Sequence, residues 1–123
     1  VKRAKLYAEN GADMVFVEAV HSKEDMIKVN KALKEVGVPS MANMIEGGAS
    51  PILTAEELQE LGYAVVAYPC SSCYVAVKAL QGWAAHLRTN GTTRDYLHNM
   101  IGFNEYFEFI GAEDIRNREK LFF

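Results

Sequence analysis

Met14-Val-Phe-Val-Glu-Ala-Val20 is the stretch whose reading decides the fold. It is almost continuously apolar and of strand length. It follows Asn10-Gly11, a stop signal for the helical stretch Lys2–Glu9. An unbroken apolar run predicts a strand buried on both faces, as in a parallel sheet, where an alternating run would predict one wet face. Two further runs of this kind follow: Ser40-Met-Ala-Asn-Met-Ile45, opened by Pro39, and Tyr63-Ala-Val-Val-Ala-Tyr68.

Helical patterns separate these runs. Ser22 reads as an N-cap, and Met26, Val29, Leu33 and Val36 form an apolar stripe that ends at Gly37. Thr54 and Glu57 have the spacing of a capping box, Leu58 and Leu61 face inward, and Gly62 ends the helix. Ser71 can cap a long helix through Arg88, with Val75, Leu80, Ala84 and Leu87 on one face. The order is a helix and then three βα units, their strands starting near residues 14, 40 and 64. Regular alternation predicts an α/β protein with parallel strands joined by right-handed helical crossovers. The spacing fits a (β/α)8 barrel, which spends roughly 30 residues per unit; a doubly wound sheet fits nearly as well on pattern alone.

After Asn90-Gly91 no further strand is predicted. Thr92 or Thr93 caps a helical segment over Tyr96–Ile101, Phe103–Ile110 is dense in aromatic residues, and Asp114–Phe123 has the pattern of a charged helix. Residues 1–91 therefore read as a partial barrel. Residues 92–123 read as a helical C-terminal extension that packs on a neighbouring surface such as a second subunit.

The 123 residues are enough for one domain with a sizeable core. Half are apolar, and the net charge of −3 carries no signature of nucleic-acid or anionic-membrane binding. No apolar run is long enough to cross a bilayer. Two cysteines in a chain of this size do not make a disulfide scaffold, so a reducing, cytoplasmic setting is the simpler expectation. The first residues are already helical in pattern, with no Met and no N-cap before them, which predicts that the chain starts inside a larger protein.

Chemistry concentrates at the strand ends. Glu18 interrupts an apolar run near the C-terminal end of the first strand, the end at which barrel enzymes place their active sites. A carboxylate buried there needs a cation, a metal or a donor, and a structural ion pair explains it equally well. Asn43 and Glu46 leave the second strand into Gly47-Gly48, whose amides can approach an anion closely. Taken alone, a turn whose glycines serve only the φ angles is the simpler account. Cys70-Ser-Ser-Cys73 sits at a strand-to-helix junction, as thioredoxin-like centres do, but no aromatic residue immediately precedes Cys70 and no Pro separates the cysteines. A zinc site needs two more ligands, and His21, His86 and His98 are scattered. Two small residues starting a helix are the better reading of these cysteines. Trp83, Tyr74, His86 and Lys78 read as packing or solvated residues.

Three segments carry a family resemblance: Gly11-Ala-Asp-Met-Val-Phe-Val-Glu18-Ala, Val38-Pro-Ser-Met-Ala-Asn43-Met-Ile-Glu46-Gly-Gly, and Leu61-Gly-Tyr-Ala-Val-Val-Ala-Tyr-Pro69. Together they resemble the last three strands of the isocitrate lyase/phosphoenolpyruvate mutase superfamily. Gly91-Thr-Thr, Met100-Ile-Gly-Phe103 and Glu105 resemble its C-terminal region. The resemblance implies the C-terminal part of a (β/α)8 barrel. It implies an enzyme that binds a 2-oxo or 2-hydroxy acid through Mg2+, stabilises an enolate-like intermediate and breaks a C–C or C–P bond. It makes Glu18 a carboxylate contacting substrate or metal-bound water. Asn43 and the Met44-Ile45 backbone become the holders of a substrate carboxylate, and Glu46 shapes the loop.

Methylisocitrate lyases carry Thr, Phe and Arg where this chain has Ile45, Gly47 and Tyr74. Loss of a hydroxyl and a guanidinium removes partners for an extra carboxylate. A branched dicarboxylate such as 2,3-dimethylmalate, cleaved to propionate and pyruvate, is then the expected substrate, with oxaloacetate hydrolysis or a phosphonomutase reaction as alternatives. The resemblance also implies oligomers that exchange their last barrel helix. In the family the Mg2+ ligands and the lid cysteine lie on earlier segments, so no residue here is assigned a catalytic or metal-ligand role, and this chain alone is expected to be inactive.

Overall fold

The sheet is organised about β2 (Ser40–Asn43), which pairs in parallel with β1 (Val15–Phe16) on one side and β3 (Val65–Ala67) on the other. The structure is a computed structural model and describes residues 1–122. Val15 lies opposite Ser40 and Phe16 opposite Met41, while Met41, Ala42 and Asn43 lie opposite Val65, Val66 and Ala67. The strands are shorter than the apolar runs suggest. β1 has a single neighbouring strand, and its ladder stops before Ala19, whose φ of 54° is incompatible with extended backbone. Helix α1 (Lys2–Glu9) precedes the sheet, α2 (Lys23–Glu35) joins β1 to β2, and α3 (Ala55–Glu60) joins β2 to β3.

Alternation along the strands sends Val15, Val17, Ser40, Ala42 and Met44 toward these helices, where they are buried or half-buried. They meet Ala4 of α1, Met26, Val29 and Leu33 of α2 and Leu58 of α3 in two apolar clusters that share Val17. Leu58, Leu33, Met26 and Met44 are almost wholly shielded, each worth about 1.5–3 kcal/mol of burial. The opposite face carries Phe16, Met41 and Val65 in one row. Burial of both faces was the expectation, but Phe16 and Val65 are 40% and 39% exposed. The physical reason is that both crossover helices lie on the other side.

The ends of α2 and α3 are set as the sequence predicts. The Ser22 hydroxyl accepts from the Asp25 amide at 3.1 Å, and Thr54 and Glu57 form a reciprocal capping box. Glu57 also takes Lys23 Nζ at 2.7 Å, linking the two helix starts. At the opposite end the Ser40 hydroxyl bonds to Asn30 Oδ1 at 2.5 Å, and Asn30 Nδ2 donates to the Leu61 carbonyl at 2.8 Å. Gly62 is required there: its φ is +96°, and a Cβ would press on the Asn30 side chain at 3.3 Å.

Contacts divide the chain into two compact units, Val1–Val75 and Ala76–Phe123, so the boundary falls inside α4 (Ser71–Asn90). The first unit is α/β and holds the whole sheet. The second is helical: most of α4, a 3-10 helix (Arg94–Asn99), α5 (Phe103–Phe109) and α6 (Ala112–Glu119). Within it the Tyr96 hydroxyl occupies the space a Cβ at Gly82 would need, 2.7 Å away, and the Tyr96 ring lies 4.9 Å from that of His86. Phe107 stacks with Phe103 at 4.6 Å and lies under the Arg116 guanidinium at 5.6 Å. No residue of α4 is buried, and Phe103 and Phe109 are about four-fifths exposed.

Urea unfolding tests the core assignment: Leu58→Ala is expected to cost about 2–5 kcal/mol. Thr54→Ala, which removes only the cap, is expected to cost about 1 kcal/mol. Equal losses would mean that Leu58 is not a core residue.

Candidate functional site

Parallel pairing brings the C-terminal ends of the three strands to one rim, and the chain leaves each strand through polar or small residues. Asn43, half-buried, closes β2 opposite Ala67. Asn43 lies two residues beyond Met41 on the same strand, so alternation sends it to the face away from the helices, whereas Glu18 lies beyond the last paired residue of β1 and lines a different space, beside Val1, His21 and Lys28. Glu18 was expected to be buried; it is exposed, because β1 has already left the ladder. Its Oε1 accepts the Ala19 amide at 3.0 Å, and Ala19 is the one non-glycine residue with positive φ among the described residues. A left-handed alanine costs roughly 1–2 kcal/mol and lies directly beside the candidate carboxylate. No hydrogen bond joins Glu18 to Asn43 among the described residues. The space bounded by Ala19, Asn43, Met44 and Ser50 is about 10 Å3, room for a water at most. The rim is thus an open edge.

Beyond Asn43 the chain is held tightly. The Met44 amide donates to the Ala67 carbonyl at 2.9 Å and its side chain is buried among the helices, so neither is free for a ligand. The Gly48 amide closes a turn on the Ile45 carbonyl at 3.0 Å, with Glu46 and Gly47 at its corner. Gly47 has φ +76°, as the third residue of a type II turn requires, and a Cβ at Gly48 would meet the Ile45 carbonyl at 3.0 Å. The two glycines therefore have a complete conformational explanation. The Ile45 and Gly47 amides make no hydrogen bond among the described residues and are available backbone donors of this turn.

Glu46 is exposed, and its Oε1 accepts the hydroxyl of Ser71, the first residue of α4. That bond, aided by Glu46's own backbone amide, holds its carboxyl below the usual carboxylate range. Ser71 was expected only to cap α4; its hydroxyl instead reaches across to the turn after β2. Tyr74 lies one helical turn further on. A hydrogen bond with the Cys70 thiol is the main cause that pushes the Tyr74 phenol up, and the Cys70 and Glu46 charges add to it. Ser71 and Tyr74 belong to the same rim because they follow β3, a position visible in the sequence but masked by the helical pattern. Cys70 and Cys73 are both free thiols.

Among the described residues no three His, Cys, Asp or Glu side chains gather closely enough to hold a metal ion. The residues present therefore do not build a Mg2+ site. Among the described residues no helix is long and apolar enough to cross a membrane. A larger cleft of about 680 Å3 opens beside Gly37, Pro39, Gly62 and Ala64, at the N-terminal ends of the strands. Ligands of parallel α/β sheets bind at the carboxyl ends, so that cleft is the weaker candidate despite its size.

Comparison with known proteins locates this arrangement. Residues 1–88 match the phosphoenolpyruvate phosphomutase family. The chain is 36% identical over 119 residues to 2,3-dimethylmalate lyase of Eubacterium barkeri, covering 97% of this chain and 40% of that protein. It is 38% identical over 122 residues to the petal death protein of Dianthus caryophyllus, covering 99% of this chain and 37% of that protein. Among solved structures, oxaloacetate acetylhydrolase in complex with the product oxalate superposes with a TM-score of 0.83 at 26% identity, covering 97% of this chain and 40% of that one. The chain thus spans about two-fifths of the length of these relatives.

Replacing Ala19 by Gly is expected to raise the thermal midpoint, since it relieves roughly 1 kcal/mol of left-handed strain against a smaller entropic cost. Gly47→Ala is expected to lower it by a similar amount, and scanning calorimetry of both variants checks the pair of signs. By its motifs, its parallel sheet and its match over residues 1–88, the chain belongs to the phosphoenolpyruvate phosphomutase family, within the isocitrate lyase/phosphoenolpyruvate mutase superfamily.

Proposed function

We propose that an enzyme containing this chain is a carbon–carbon lyase. Its substrate is a branched 2-hydroxy dicarboxylate of the 2,3-dimethylmalate type, favoured over a tricarboxylate of the methylisocitrate type, and is cleaved to pyruvate and a second acid. The observation that carries this reading is the pairing of the Asn43-Met-Ile-Glu46-Gly-Gly turn with 36% identity to a 2,3-dimethylmalate lyase across nearly the whole chain. Closure of the exposed Phe16–Met41–Val65 face by further strands of a (β/α)8 barrel is part of the same reading, since a parallel sheet is ordinarily covered on both sides. So is a homo-oligomer seated on the exposed aromatic residues of α5, with helix exchange between subunits.

The chemistry asked of these residues is modest. The proton of the 2-hydroxyl leaves to a base, the C2–C3 bond breaks, and its electron pair passes to C3 as an enolate-like carboxylate that then takes a proton. Pyruvate is the carbonyl product. The Asn43 side-chain amide and the Ile45 backbone amide are neutral donors suited to holding a substrate carboxylate, and Glu18 accepts a hydrogen bond from the substrate hydroxyl. Mg2+, which the family resemblance implies, would supply Lewis-acid stabilisation of the developing oxyanion, with ligands on segments outside this chain. Tyr74 provides no cation for a third carboxylate, which favours the dicarboxylate.

A second reading is oxaloacetate hydrolysis, supported by the TM-score of 0.83 to the oxalate complex of oxaloacetate acetylhydrolase. A phosphonomutase reaction is the third chemistry within the family. The complete enzyme, assayed with 2,3-dimethylmalate and lactate dehydrogenase, is expected to release pyruvate. Asn43→Ala is expected to raise KM about 10- to 100-fold, the value of one hydrogen bond to a charged group. Absence of pyruvate, together with acetate and oxalate formed from oxaloacetate, would replace the lyase by the hydrolase.

A further inference from the structure

We propose that Ser71 is a positioning residue whose hydroxyl holds the Glu46 carboxylate in one orientation, keeping it from swinging over the Ile45 amide, and fixes the Ile45–Gly48 turn in its binding shape. The inference rests on reading the rim as a carboxylate site. Three observations carry it. First, Ile45, whose amide makes no hydrogen bond among the described residues, lies between two anchored neighbours: Met44, tied to Ala67 and buried, and Glu46, tied to Ser71. Second, the turn itself is closed by Gly48 and admits little else at Gly47 and Gly48. Third, the Ser71 hydroxyl spans elements 25 residues apart in sequence, joining the loop after β2 to the helix after β3.

Electrostatics supply the reason. A carboxylate one residue from the Ile45 amide opposes any anionic substrate, and an unrestrained side chain at an exposed site samples orientations close to that amide. A hydroxyl donor satisfies the carboxylate without adding a charge that would compete for substrate. Because the bond is exposed, it contributes little to global stability, so its worth lies in geometry and in the direction of the negative charge. The low-lying Glu46 carboxyl is a consequence: it stays ionised as pH falls below its ordinary value, and loss of Ser71 lets its titration rise.

The test uses the complete enzyme and two readouts, steady-state turnover and calorimetric binding of oxalate. Ser71→Ala is expected to raise KM and weaken oxalate binding about three- to tenfold with kcat changed less than twofold, the size of one modest hydrogen bond. Ser71→Thr, which keeps the hydroxyl, is expected to restore both. In the Ser71→Ala background Glu46→Gln removes the misdirected charge and is expected to recover most of the loss, so the two substitutions are not additive. Additive losses, a fall in kcat alone, or equal damage from Ser71→Thr and Ser71→Ala would overturn the role of Ser71. Failure of the lyase reading looks different: no turnover of 2,3-dimethylmalate by the unaltered enzyme, while the oxalate pattern across the variants persists. An unaltered enzyme that binds no oxalate overturns both.

Discussion

The hydrogen-bond ladder of β2 is the constraint from which the rest follows. Because β2 pairs in parallel on both edges, the three strands must end on one side, and the loops after them must share a rim. Parallel pairing also demands crossovers long enough to hold a helix, and α2 and α3 supply them. Their common placement on one face builds the core around Val17, Ala42, Met44 and Leu58 and leaves Phe16, Met41 and Val65 on the other. The Asn30–Ser40 pair at the start of β2 adds a polar clasp between strand and helix, satisfied within the protein and so not a source of instability.

At the rim, rigidity is built from backbone before any side chain acts. The Met44 bond to Ala67, the Gly48 bond to Ile45 and the left-handed Gly47 leave the turn few alternatives. Glu18 is held differently, by its own next-door amide and a strained Ala19, on a strand that has already left the sheet. The turn after Asn43 is thus tied to β3, while Glu18 is tied only to its own neighbour.

The second unit follows other rules. Its interior contacts are aromatic: Tyr96 against Gly82 and His86, and Phe107 between Phe103 and Arg116. Its remaining apolar residues are largely exposed, Leu97, Phe109 and Leu121 among them. Such a surface is costly for an isolated chain and ordinary for one that has a partner.

Much was legible in the sequence because it depends on local rules. Ser22, Thr54 and Glu57 announce helix starts through short-range hydrogen bonds, Gly37 and Gly62 announce ends through φ, and the apolar runs announce parallel strands. The alternation of elements, the strand-end position of Asn43 and the turn at Gly47-Gly48 are of the same kind. Tertiary structure alone decided which face of the sheet is covered and where β1 leaves the ladder, and hence that Glu18 is exposed. It alone decided that the hydroxyl of Ser71 serves Glu46 and does not cap its own helix. These outcomes depend on groups as much as 25 residues apart meeting in space, and periodicity along a chain carries no information about which distant partner a polar side chain will find.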